Sequence, residues 1–260
     1  MNQNGTENGI RINKYLSEAG ICSRREADRQ IEAGNVTIDG KTARIGDRVI
    51  DGQTVYLGGR PVQKEEEKIL LAVYKPRGIV CTSQKKERNN IVDFVGYSKR
   101  IYPVGRLDKD SEGLILMTNQ GALVNKIMRA GNMHEKEYIV EVHKEITPDF
   151  IQGMANGVYL KELDVTTRRC KISQTGKRQF TIVLTQGYNR QIRRMCQVFS
   201  YRVVSLKRVR IMNIHLGGLK PGAYRKVTKE EYQVLMNLTK HSSQTTVINE
   251  WAGGGRTWRK

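Results

Sequence analysis

Three carboxylates, Asp108, Asp110 and Glu112, fall within five residues of one another in GRLDKDSEGLIL, just after Arg106, in a chain with 45 Lys and Arg against 26 Asp and Glu. Acids so placed can hold magnesium, can form surface salt bridges, or can work on a sugar. A two-metal site needs further acids from other segments, and residues 165–229 contain no Asp or Glu. One carboxylate beside an arginine in a basic cleft suits an anomeric carbon, where an Asp can attack or stabilise C1′ as its base departs. The guanidinium favours the ionised carboxyl. Chemistry on a base also requires the base to leave its stack and meet an aromatic ring. Tyr138, in HEKEYIVEV, opens a strand after a charged run. Salt bridges that fix a loop between Gly105 and Gly113 are the competing reading of the three acids.

The surroundings are basic. The net charge of +19 makes a polyanion the expected partner, with nucleic acid first and an anionic membrane surface second. Residues 165–229 hold 16 Lys and Arg, a single-sign field that focuses a polyanion onto one face. The longest apolar run, Ile69 to Tyr74, is six residues, against the roughly 20 that span a bilayer. The opening MNQNGTENG does not resemble a signal peptide, so a cytoplasmic protein is expected. Cys22, Cys81, Cys170 and Cys196 are widely spaced, which gives neither a disulfide framework nor zinc-ligand spacing. No phosphate-binding glycine loop, dinucleotide fingerprint or metal-ligand cluster occurs, and no cofactor or metal is expected. His134, His143, His215 and His241 are dispersed, which argues against a histidine base.

The elements that must position these residues divide into two modules. In residues 10–62, Ile12, Tyr15, Leu16 and Ala19 make an amphipathic stripe that Gly20 can close. Ser23 with Glu26 signals a second helix, and Asp39-Gly40 a hairpin. That second helix carries Arg24, Arg25 and Arg29, suited to phosphate contact. The polar run 63–68 reads as a linker. From 69 to 240 strands and helices alternate: ILLAVY, LILMT, EYIVEV, QFTIVLT and RVVSLKRVRI as strands, with helices after Thr147-Pro148 and Thr228. In NRQIRRMCQVF, Ile192, Met195, Cys196 and Phe199 form the buried stripe. Arg190 and Arg194 then face outward to phosphates, and Arg193 lies at the apolar edge, able to reach an internal carboxylate. The fold class is α+β. Residues 1–9 and a basic tail at 241–260 are expected to be disordered.

Together, GRLDKDSEGLILMTN, YKPRG, NIVDFV, HEKEY and QGYNRQIRRMC, in that order, resemble the RsuA-like pseudouridine synthases that carry an N-terminal S4 RNA-binding domain. The likeness covers residues 10 to about 240 and is greatest to the branch termed the large-subunit ribosomal RNA pseudouridine synthase F type. It implies a small S4-like domain followed by a mixed catalytic domain with a largely antiparallel sheet. It further implies cofactor-free isomerisation of uridine to pseudouridine with base flipping, in large-subunit ribosomal RNA, with a transfer RNA anticodon loop as a second target; a monomer is expected. In position, Asp108 is similar to the catalytic aspartate, Tyr138 to the tyrosine that stacks on uracil, and Arg193 to the basic residue paired with the aspartate. Arg106 is similar to the arginine that replaces or holds the flipped nucleotide. Lys75, Arg190, Arg194, Arg24, Arg25 and Arg29 complete the expected substrate contacts. Tyr74 departs from the asparagine common before Lys-Pro, which implies a packing difference. A non-catalytic RNA-binding factor and a glycosylase that releases free base are the opposing readings; Asp108, Tyr138 and Arg193 together weigh against the first.

Overall fold

The computed structural model describes residues 9–63, 67–84 and 86–242. Most of the N-terminus and tail expected to be disordered, and the middle of the linker, lie outside the described residues. The first module holds β1 (Ile10–Arg11), α1 (Ile12–Glu18), α2 (Arg24–Glu32), β2 (Val36–Ile38), β3 (Lys41–Thr42), β4 (Arg48–Val49), β5 (Val55–Leu57) and β6 (Arg60–Pro61). The Ser23 hydroxyl accepts from the Glu26 N–H and starts α2. The reciprocal half of that cap is missing because the Glu26 carboxylate is taken by Arg29 and Gln30. Asp39 and Gly40, both at positive φ (49° and 81°), form the two-residue turn between β2 and β3. The module exceeds the expected two helices and hairpin: β3-β2-β5-β6 is a four-stranded sheet, and β1 pairs with β4. A lone hairpin gives too little apolar surface; Val36, Val49, Val55 and Val62 together cover Ile12, Leu16, Ala27 and Ile31. Strands of two or three residues carry no readable period, so the sequence pattern hides them.

The larger module contains β7 (Leu70–Lys75), α3 (Ile91–Val95), β8 (Tyr102–Val104), β9 (Glu112–Thr118), α4 (Gly121–Met128), β10 (Lys136–Val142), α5 (Pro148–Ala155), β11 (Tyr159–Leu160), β12 (Val165–Thr166), β13 (Lys171–Gly176), β14 (Gln179–Leu184), α6 (Gln191–Val198), β15 (Val203–Ile211), β16 (Ile214–His215), β17 (Tyr224–Lys226) and α7 (Lys229–Leu238). One sheet runs β13-β14-β10-β15-β9-β7-β17, with β16 added to β15 and β8 to β9. Its pairings are antiparallel except for β9 beside β15. Both faces are covered, which explains the unbroken apolar runs of β7 and β9. Leu71, Val73, Ile115 and Met117 face a core completed by α3, α5 and α6. Leu70, Ala72, Leu114 and Leu116 face α4 and α7. Across the modules, Arg100 donates to the Ser17 carbonyl at 3.1 Å.

Candidate active site

Asp108 and Asp110 lie on the loop from β8 into β9 and Glu112 is the first residue of β9, where the sheet of the described residues turns parallel. Gly113 makes that place possible. Its φ is +109°, and a Cβ there would overlap the carbonyl oxygen of Arg208 and stand 2.7 Å from its nitrogen. Only a residue without a side chain lets β9 approach β15 so closely. Arg208, 2 % exposed, then reaches across to donate to the Leu114 carbonyl at 2.7 Å and the Arg106 carbonyl at 3.4 Å. The loop is also held from below. The Lys109 carbonyl accepts from the Gly78 N–H at 2.8 Å, and the Asp108 carbonyl from the Ser111 N–H at 3.1 Å.

On this loop the acids have different surroundings. Asp110 accepts a two-pronged pair of bonds from Arg190, at 3.2 and 3.1 Å, and meets Arg193 at 3.3 Å. Burial opposes its ionisation, yet the Arg190 hydrogen bond and the charges of Arg193 and Arg190 outweigh burial, and the carboxyl lies below the usual range. Glu112 accepts from the Tyr74 hydroxyl at 3.1 Å and faces Arg77 at 3.8 Å. Tyr74 is therefore a packing and hydrogen-bonding element of the loop base. Asp108 is the acid left freer: Arg190 stands 3.9 Å away, beyond hydrogen-bond reach, and the side chain is 34 % exposed. A cleft of about 490 Å³ opens in front of it, lined by Arg106, Leu107, Asp108, Asp110, Cys81 and Arg190.

Several expected contacts fall elsewhere. Arg193 meets Asp110, through both its carboxylate and its carbonyl, along with the Ser111 hydroxyl and the Val203 carbonyl. Arg190 does not point freely outward: as the residue before α6, with φ 52°, it folds back onto Asp110. Arg194 is paired with Glu162 and with the Asn189 carbonyl, and it lines a groove away from Asp108. Lys75, expected to bind substrate, does not reach the cleft. It is fully buried, and its ammonium donates to the Pro76 and Ile79 carbonyls at 2.8 and 2.9 Å. Burial pulls its pKa below the usual lysine value. Its effect is to fold the turn whose Gly78 N–H holds Lys109. Arg106 is exposed on the cleft wall. Tyr138 points inward from β10 into the core cluster that also contains Leu107, the neighbour of Asp108. Arg24, Arg25 and Arg29 are exposed on α2, with Arg29 held by Glu26.

Sequence reasoning missed two buried cations on the neighbouring strands β15 and β10, of which the first holds the loop. Arg208 is one; Lys136 is the other, 6 % exposed, with its pKa drawn down to about 8 by burial and by the Arg208 charge. A signal existed, since Arg208 is in phase with Leu206 on the inward side of β15.

A basic α+β enzyme module with one freely presented carboxylate in an arginine-walled cleft, preceded by a small helical and β module, defines an RNA-modifying class. The comparisons specify it. The family model described as RNA pseudouridylate synthase matches residues 69–198, and the S4 domain model matches residues 10–55. A dual-specificity RNA pseudouridine synthase RluF of Salmonella typhi is 54 % identical over 92 % of this chain and 82 % of its own. The ribosomal large subunit pseudouridine synthase B of Bacillus subtilis is 34 % identical over 89 % of this chain and 97 % of its own. A crystal structure of a pseudouridylate synthase shares the fold, with a TM-score of 0.65 at 24 % identity over 87 % of this chain and 99 % of that one. The chain belongs to the RsuA-type RNA pseudouridine synthases with an N-terminal S4 domain, and is thus an isomerase acting on uridine in RNA.

Proposed function

We propose that the protein converts a particular uridine of large-subunit (23S) ribosomal RNA to pseudouridine, and accepts a transfer RNA anticodon-loop uridine as a second substrate. The relatives named for dual specificity and for the large ribosomal subunit support the substrate class. In this reading the enzyme works as a monomer in the cytoplasm; among the described residues no helix is long and apolar enough to cross a membrane. Asp108 acts at C1′ as the N1–C1′ bond breaks. Tyr138 supports the detached uracil, which turns until C5 bonds to C1′, and a proton then leaves C5. Arg106 occupies the cleft wall where a flipped nucleotide passes, and Arg193 orders the loop by holding Asp110 and Ser111. Exposed Arg24, Arg25 and Arg29 offer the S4 module's contacts to phosphates. The two modules extend over residues 10–62 and 69–240.

The observation that carries this reading is the contrast between neighbours: Asp110 is clasped by two arginines, whereas Asp108 faces the cleft with its nearer guanidinium at 3.9 Å. The test is tritium release from RNA labelled at C5 of uridine, with large-subunit transcript and transfer RNA as parallel substrates. Asp108→Asn, close in shape, is expected to lose at least about a thousandfold in rate while binding RNA and melting like the parent. Undiminished release from that variant would refute the assignment.

A further inference from the structure

A second basic cavity, of about 460 Å³, shares Arg190 with the Asp108 cleft and is lined by Arg193 as well. Its remaining wall comes from the end of α6 and the turn into β15: Gln197, Ser200 and Arg202, faced by His143 beyond β10. No carboxylate lines it, and Arg202 makes no ion pair among the described residues. By contrast Arg190 and Arg193 are already committed to Asp110 on their other side. The Arg193 Nε–H, without an acceptor among the described residues, is shielded from solvent and is not one of the donors that open into the cavity. His143 is oriented by the backbone: the Arg202 N–H donates to its Nδ1 at 3.1 Å, and the His143 N–H donates to the Arg202 carbonyl at 3.1 Å. A neutral imidazole so held carries its proton on Nε2, as a donor. The rigidity of the turn comes from Tyr201, buried with its hydroxyl on the Glu145 carbonyl at 2.9 Å and its ring beneath Lys144.

Donors without acceptors around a concave surface suit an anion with several oxygens, and the guanidinium fork suits a phosphodiester. Arg190 lines both cavities, so the second adjoins the Asp108 cleft. We infer that the cavity bounded by His143, Arg193 and Arg202 is a subsite for the backbone phosphate of a nucleotide flanking the target uridine, so that recognition extends beyond the reacting residue. This rests on the RNA reading above.

The experiment is equilibrium binding of a stem-loop RNA to the full-length protein over a range of salt. Arg202→Gln is expected to weaken binding about five- to tenfold and to lower the log–log salt slope by about one. Arg202→Lys should restore the slope. Lys240→Gln, after α7 on the opposite face of the sheet from α6, removes the same charge elsewhere and should leave the affinity within about twofold of the parent. Neutral methylphosphonate linkages placed singly on either side of the uridine identify the phosphate: at one of them the parent loses affinity and Arg202→Gln loses no more. Equal losses in both proteins at every linkage, or an equal effect of Lys240→Gln, would overturn the subsite while leaving the substrate reading intact. Turnover at the uridine by the unaltered protein tests that reading separately, and absence of RNA binding by the unaltered protein would sink both.

Discussion

Replacing Gly113 by alanine tests the claim that the Asp108 loop depends on the close approach of two parallel strands. An alanine there must adopt φ +109°, and its Cβ must find room against Arg208 backbone that has no freedom to swing aside. The backbone conformation alone costs about 1–3 kcal/mol. Relief of the overlap requires β9 to part from β15 at Lys207–Glu112 and Arg208–Gly113, the two registered pairs of that junction. Each ladder hydrogen bond weakened there costs about 1 kcal/mol. The sum is about 3–5 kcal/mol, which at about 2–4 °C per kcal/mol for a domain of this size lowers the melting temperature by about 10 °C. Parting the strands also draws the Arg208 side chain from the Leu114 and Arg106 carbonyls, so turnover should fall beyond the loss of folded protein. The assay is thermal unfolding together with tritium release per folded molecule. Gly187→Ala is the matched comparison, since a Cβ there meets nothing and the backbone needs no positive φ; a change under about 0.5 kcal/mol is expected. Gly113→Ala that melts within 2 °C of the parent, with full activity, would refute the reasoning.

Two further outcomes follow from the charges at the loop. The folded pKa of Asp110 is depressed, so its contribution to stability is present above its unfolded value of about 3.9 and lost as pH falls through the folded value; Asp110→Asn should flatten the acid limb of a melting-temperature profile below about pH 5. Lys136 has the opposite form. Between its folded pKa of about 8 and its unfolded value of about 10.4 the unfolded chain binds more protons, and stability should rise with pH in that window; Lys136→Met should remove the rise and stabilise the protein at pH 7 by about 1–3 kcal/mol in urea unfolding.

Much of the fold was legible because its central strands and caps follow local rules. β7 and β9 are continuous apolar runs, and Thr228 with Glu231 makes a reciprocal cap that both side chains complete. The strands that escaped are those whose stability is borrowed. Pro103 disguises β8, which nonetheless pairs through Val104 and Tyr102 with β9. One apolar residue in six conceals β13, an edge strand paired only with β14. At the site, the helical wheel of α6 places Arg193 where it can cross the apolar edge, but a wheel has no information on which carboxylate it meets. Lys75 shows the same limit from the other side: a lysine in a basic chain reads as a phosphate ligand, whereas tertiary packing turns it onto two carbonyls.

The pairing of Arg193 and Arg190 with Asp110 rather than Asp108 has a physical logic. In the proposed reaction Asp108 works amid the cations that bind a polyanion, and an arginine at hydrogen-bond distance would occupy the oxygens needed at the sugar. Asp110 resolves the conflict by taking both guanidinium groups in defined geometry, which keeps positive potential at the cleft while Asp108 stays at 3.9 Å from Arg190. Asp110→Asn should therefore lower turnover through Asp108: with one fork released, Arg190 swings toward the remaining carboxylate and competes with the substrate. Such a variant should show a fall in kcat with little change in RNA affinity, whereas a purely structural Asp110 would lower the melting temperature and leave turnover per folded molecule unchanged.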